Sequence, residues 1–97
     1  MKSNLGIKID YDSHSVYIDG ISIDLTPKEF ELLYYFVENE GKILSREQIL
    51  NRVWGYEYLG SPRTVDTHIY RLRIKLGNKA DYINAVWGLG YKFEIKK

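Results

Sequence analysis

The chain has no cysteine, one methionine, two prolines and two histidines in 97 residues. Without cysteine there is no disulfide framework, no thiolate metal site and no cysteine nucleophile, which fits a reducing compartment and a cytoplasmic protein. No Cys or carboxylate stands at ligand spacing around His68, so a metal centre is not expected. The few histidines and serines form no nucleophile–base spacing, so neither is an enzyme. Gly88-Leu89-Gly90 lacks the third glycine and the following helix of a phosphate cradle; it reads as a hairpin turn, and no cofactor is expected. No apolar run approaches the roughly 18 residues of a membrane span, and the N-terminus lacks a signal-peptide core. Repeats, low-complexity tracts and internal linkers are also missing, which leaves one domain with an ordered core over about 5–95.

What is present is patterned. Ile7–Tyr11, Val16–Asp19 and Ile21–Leu25 alternate apolar and polar residues as half-buried strands do. Asp19-Gly20 marks a two-residue hairpin turn, whose central positions need positive φ. Thr26-Pro27-Lys28-Glu29 combines an N-cap, a proline at the first helical position and a capping-box glutamate. Phe30, Leu33, Tyr34 and Val37 then share a face, and Gly41 supplies the stop. A second helix opens at Ser45 with Gln48 three residues on, buries Ile49 and Val53, and ends at Gly55. Gly55–Gly60 reads as a loop. Ser61-Pro62 leads into a third helix over about 62–76, closed by Gly77. Tyr82–Val86 and Tyr91–Ile95 form a final hairpin over about 82–95. The fold class is α+β: a small N-terminal antiparallel sheet, a three-helix core and a C-terminal hairpin.

Charge is segregated. Residues 1–60 carry six Lys/Arg against ten Asp/Glu, a net of −4, whereas residues 61–97 carry eight against three, a net of +5. The overall +1 hides a positive helix and a positive hairpin on an acidic body, a distribution suited to a phosphate backbone. At 100° per residue, Val65, Ile69, Leu72 and Leu76 form a narrow core stripe on the third helix. Opposite lie Arg63, Thr67, Tyr70, Arg71 and Ile74; Thr64, His68 and Lys75 flank one side, Asp66 and Arg73 the other. Arg can pair with guanine, and Thr or Ile methyls can touch the thymine methyl. Arg63, His68 as a neutral donor, Arg73, Lys75 and Lys92 are candidate phosphate partners, which would give a log–log salt slope near −4. A solvated helix face with scattered cations remains the plain alternative.

LTPKEFELL, the Trp54-Gly55 helix ending, RTVDTHIYRLRIKL and the closing GLGYKF occur in this order. Together they resemble the C-terminal effector domain of OmpR/PhoB-type response regulators, the winged helix-turn-helix transcription factors of bacterial two-component systems, from about Ile7 to Phe93. The resemblance implies a recognition helix in the major groove of double-stranded DNA and a wing at the minor groove. It implies phosphate contacts at Arg63, Thr64, His68, Arg73, Tyr91 and Trp54, base reading at Arg71, and variable sequence preference at Thr67 and Tyr70. Ala85 and Trp87 fall in the wing, where many members carry arginine in place of Trp87. Tyr56, Glu57, Tyr58 and Leu59 correspond to a segment that many members use to contact RNA polymerase; otherwise these residues simply pack the loop down. The resemblance further implies an N-terminal receiver domain in the full-length protein, a dimer on direct-repeat DNA and a monomer in isolation. Nothing in this chain resembles a receiver, so the expectation is an effector domain apart from it, or a stand-alone regulator. The rival reading is a winged-helix protein-interaction module that binds polymerase or another protein without specific DNA binding.

Overall fold

The computed structural model describes residues 2–4 and 6–95; Leu5, at the edge of the expected ordered core, lies outside them. A four-stranded antiparallel meander comes first: β1 (Lys2–Asn4), β2 (Ile7–Asp10), β3 (Ser15–Ile18) and β4 (Ile21–Ile23), in that spatial order. Asp19 and Gly20 both have positive φ, 50° and 83°, as the two-residue turn between β3 and β4 requires. Three helices follow, α1 (Pro27–Glu38), α2 (Arg46–Val53) and α3 (Arg63–Leu76). The chain then passes through a 3-10 turn (Gly77–Tyr82) into the hairpin of β6 (Ile83–Val86) and β7 (Gly90–Phe93). No helix among the described residues is long and apolar enough to cross a membrane.

Both expected capping boxes form. Thr26 Oγ1 accepts from the Glu29 N–H while Glu29 Oε1 accepts from the Thr26 N–H, and Ser45 and Gln48 repeat the exchange at α2. Each satisfies two backbone donors that a helix start leaves unpaired.

Two strands escape the sequence pattern. β1 has no apolar alternation and exists through backbone pairing with β2, Lys2 opposite Ile9. β5 (Ile43–Leu44) is two residues long, too short for any periodicity, and is defined by its partner β7, Ile43 opposite Lys92. β5 makes the wing a three-stranded sheet in the order β5-β7-β6. The hairpin arms are also shorter than the pattern suggested, because Tyr82 closes the 3-10 turn and Glu94 lies beyond β7.

The face predicted for α1 needs correction. Phe30, Leu33 and Val37 are buried, but so are Leu32, Phe36 and Glu29, whereas Tyr34 is half-buried. The reason is position: α2, α3 and β7 all pack on α1, so its apolar sector is wider than a one-sided surface helix would show. Tyr34 sits at the rim, its ring 4.6 Å from that of Tyr11.

Glu29 holds this core together from inside. Its side chain is 3% exposed, and Oε1 accepts from Lys75 Nζ at 2.6 Å as well as from the Thr26 N–H at 2.9 Å. The start of α1 is thereby tied to the last turn of α3. Burial pushes the Glu29 carboxyl up, but the bonds from Lys75 and Thr26 outweigh it and hold the group below the usual carboxylate range.

Candidate nucleic-acid interface

The third helix is built as its wheel predicts. Val65, Ile69, Leu72 and Leu76 are its buried residues, facing the core. Arg63, Thr67, Tyr70, Arg71 and Ile74 on the far side are all exposed. Pro62 cannot cap the helix; Ser61 Oγ accepts from the Arg63 N–H at 3.1 Å instead. Arg63 and Arg71 make no side-chain hydrogen bond or ion pair to another described residue, so their guanidinium groups are presented outward with all donors available.

The flanking cations are placed differently from one another. Lys75 is committed to Glu29, and Lys92 pairs with Glu94 at 3.2 Å. Arg73 donates Nε–H to the Ala80 carbonyl at 3.0 Å, which fixes the side chain while leaving its terminal nitrogens free. Of the five candidate phosphate partners, two therefore carry a carboxylate of their own.

His68 also departs from its expected chemistry. Its Nδ1 lies 2.8 Å from the Thr64 carbonyl and 3.1 Å from Thr64 Oγ1. At 2.8 Å from a carbonyl oxygen the nitrogen must carry the proton, since two lone pairs would repel. In the neutral ring Nε2 is then an acceptor, so His68 cannot act as a neutral donor to phosphate; only the imidazolium can. The ring packs edge-on against Trp54 with centroids 4.9 Å apart. Trp54 closes α2 and is half-buried between His68, Tyr58 and Lys28, whose Nζ lies 5.7 Å from the indole and caps the helix by donating to the Val53 carbonyl.

Tyr91 sits in an arrangement the sequence did not disclose. Its hydroxyl donates to Asp66 Oδ1, the oxygen that also accepts from Arg46 Nε at 2.8 Å, and the Arg46 guanidinium lies 5.1 Å above the Tyr91 ring. Arg46 opens α2, Asp66 belongs to α3 and Tyr91 to β7, so one carboxylate joins three elements. Burial raises the Tyr91 hydroxyl and the bond to Asp66 adds to it; the same carboxylate raises Arg46. Tyr91 has one hydroxyl hydrogen and directs it at Asp66, so its expected donation to a phosphate has a competitor within the fold. Tyr91→Phe should cost about 1–2 kcal/mol and lower the melting temperature by several degrees, while leaving the salt slope of DNA binding unchanged. A flatter slope in a salt titration would show that the hydroxyl works on the backbone after all.

The hairpin is not positive. Ile83 to Tyr91 contains no charged residue, so the basic excess of the last third resides on α3 and beyond the hairpin. The Leu89 N–H donates to the Val86 carbonyl at 2.9 Å and Gly88 has φ 77°, a turn that demands glycine at its third position. Ala85 is exposed, and Trp87 is 96% exposed rather than folded onto the hairpin.

In the α2–α3 loop the residues divide. Tyr58 folds back, its hydroxyl donating to the Ser61 carbonyl at 3.3 Å and its ring 6.3 Å from Trp54. Glu57 is exposed, and Tyr56 and Leu59 project almost fully, at 88% and 99%. Packing down thus describes Tyr58 and not its neighbours.

The profile of the family described as "Transcriptional regulatory protein, C terminal" matches residues 20–93. A curated relative, the transcriptional regulatory protein SrrA of Staphylococcus aureus, is 50% identical over 94 residues. That alignment covers 93% of this chain and 39% of SrrA, so the chain spans about two fifths of the relatives it matches. Among solved structures, the DNA-binding domain of response regulator AdeR, in complex with an intercistronic region, superposes with TM-score 0.87 at 31% identity, covering 98% of this chain and 100% of that one. DrrB of Thermotoga maritima, an OmpR/PhoB homologue, gives 0.86 at 38% identity over 97% of this chain and 44% of its own. A basic helix buried on one stripe, a three-stranded wing and these likenesses agree: the chain belongs to the transcriptional regulatory C-terminal family, the winged-helix DNA-binding effector domains of OmpR/PhoB-type response regulators.

Proposed function

We propose that this chain binds double-stranded DNA sequence-specifically as the output domain of a two-component transcription factor in the bacterial cytoplasm, with α3 in the major groove and the wing at the adjacent minor groove. The observation that carries this is the exposed face of Arg63, Thr67, Tyr70, Arg71 and Ile74 on a helix whose opposite stripe is wholly buried. Arg71 reads a base, with Thr67, Tyr70 and Ile74 shaping the preference around it. Arg63 at the helix start and the free fork of Arg73 hold phosphates, supported by Thr64 and the Trp54 indole N–H. With Lys75 and Lys92 engaged by carboxylates, Arg63 and Arg73 remain and the log–log salt slope falls to about −2.

Arg71→Ala should cost roughly 1–3 kcal/mol on the preferred site and relax preference at one base pair. The comparison that decides it is affinity for a selected site against random duplex. Equal losses on both would make Arg71 a backbone clamp and sink the base-reading assignment.

A receiver domain preceding this unit regulates it, and two copies bind a direct repeat, the single domain being monomeric and weak. Tyr56 and Leu59, exposed beside Glu57 on the loop before α3, form the contact for RNA polymerase. Their placement on the same molecule as a free α3 face favours a polymerase contact that accompanies DNA binding rather than one that replaces it.

A further inference from the structure

The wing ends in an exposed indole that the fold does not use. Trp87 is 96% and Leu89 58% exposed, on a hairpin without a charged residue from Ile83 to Tyr91. An apolar tip of this kind loses nothing structural by being smaller, and in water it is an unpartnered surface. It is also held rigidly. The Gly90 backbone lies so close to β5 that an added Cβ would stand 2.1 Å from the Leu44 carbonyl oxygen. One residue further on, Tyr91 bonds to Asp66 of α3, with Arg46 across both. The strand that carries the tip is therefore anchored, at Tyr91, to the helix assigned to the major groove.

We propose that Trp87 and Leu89 form an uncharged wedge that packs on the deoxyribose walls of the minor groove beside the base-reading helix, adding affinity that does not depend on salt. A neutral tip gains nothing from phosphates. Sugar C–H faces and base edges are what an indole and a leucine can bury against, a non-inserting counterpart of the apolar wedges that minor-groove binders push between base steps. The indole N–H remains free to donate to an acceptor on the groove floor. The proposal rests on the DNA-binding reading above.

The test is an NMR titration of the labelled chain with a short mixed-sequence duplex at low salt, beside salt titrations of Trp87→Ala and Trp87→Arg. The Trp87 indole N–H is the cross-peak missing from Trp87→Ala, whose fold is checked by its remaining spectrum. The wedge requires the Trp87 indole and Leu89 amide to shift together with the amides of Arg63–Ile74. Trp87→Ala should weaken binding about tenfold, the loss expected for a partly buried apolar side chain, with a parallel salt slope, and Trp87→Arg should steepen the slope by about 0.9. If the α3 amides move while Trp87 does not, or if Trp87→Ala binds as tightly as the parent, the wedge is wrong and the helix assignment stands. If neither moves, DNA binding itself fails and takes the wedge with it. Trp87 signals that shift with protein concentration alone, matched by dimers in sedimentation, would assign the tip to a second copy and overturn the proposal. A flatter slope in Trp87→Ala would do the same, because it would mean that the tip steers a cation onto phosphate.

Discussion

Gly90→Ala is expected to unfold the wing. Gly90 has φ 135°, where an L side chain is strained, and its Cβ would stand 2.1 Å from the Leu44 carbonyl oxygen, 2.8 Å from Ser45 Cα and 2.9 Å from the Leu44 carbonyl carbon. All three are backbone atoms of β5 and of the N-cap of α2, so no rotamer change can relieve the clash. β7 must leave β5 or α2 must move, and either displaces Tyr91 from Asp66. Strain at the residue is about 1–3 kcal/mol, and the forced separation brings the cost to at least about 3 kcal/mol. For a domain of this size that is a fall in melting temperature of well over 10 °C. Gly88→Ala is the control: it has φ 77° but open space around its Cβ, so it should lose only about 1 kcal/mol. Thermal melts of the two variants side by side decide the matter. Similar midpoints would show that β7 does not depend on close approach to β5.

The second large effect concerns Glu29. Glu29→Ala removes the acceptor of the Thr26 N–H and strands Lys75, and it empties a buried site at the start of α1. Loss of the cap is worth about 1 kcal/mol. Breaking a buried ion pair ordinarily costs about 3–5 kcal/mol. Lys75 is partly exposed and can turn to water, so about 3 kcal/mol in total is expected. The pH dependence follows from the lowered pKa. The folded state binds the Glu29 proton less readily than the unfolded chain, so this stabilisation is fully present above the unfolded carboxylate value, about 4.3. It is lost as the pH falls below that value and through the lower folded pKa. Glu29→Gln should accordingly be less stable than the parent at neutral pH, and the gap should narrow in acid. Urea midpoints at neutral pH and below the carboxylate range measure both; a gap independent of pH would mean that the Glu29 charge contributes nothing.

Much of the interface was legible before folding. The α3 stripe and its opposite face follow from local periodicity, and burial sorted Val65, Ile69, Leu72 and Leu76 from Arg63, Thr67, Tyr70, Arg71 and Ile74 along that line. The capping boxes and the Asp19-Gly20 turn were readable for the same reason, since each involves residues at most three apart. What lay hidden is the competition for each charged group. Lys75 looks like a phosphate ligand until Glu29, 46 residues away, takes it; Tyr91 looks like a backbone donor until Asp66, 25 residues away, accepts its hydrogen bond. Arg46 carried no signal at all, because its partners come from α3 and β7.

The sequence by itself determined the α+β class, the starts of the first two helices and the stops of the last two, and the face of α3 that is free to meet DNA, because helix caps, tight turns and the 3.6-residue period are local physics; α1 ends at Glu38, three residues before the expected Gly41. Only the tertiary structure decided which cations are free, that Asp66 engages Tyr91, that β5 braces the wing and that Trp87 stands clear of it. Those outcomes depend on which side chains long-range packing brings within hydrogen-bond distance, and on which it leaves in water.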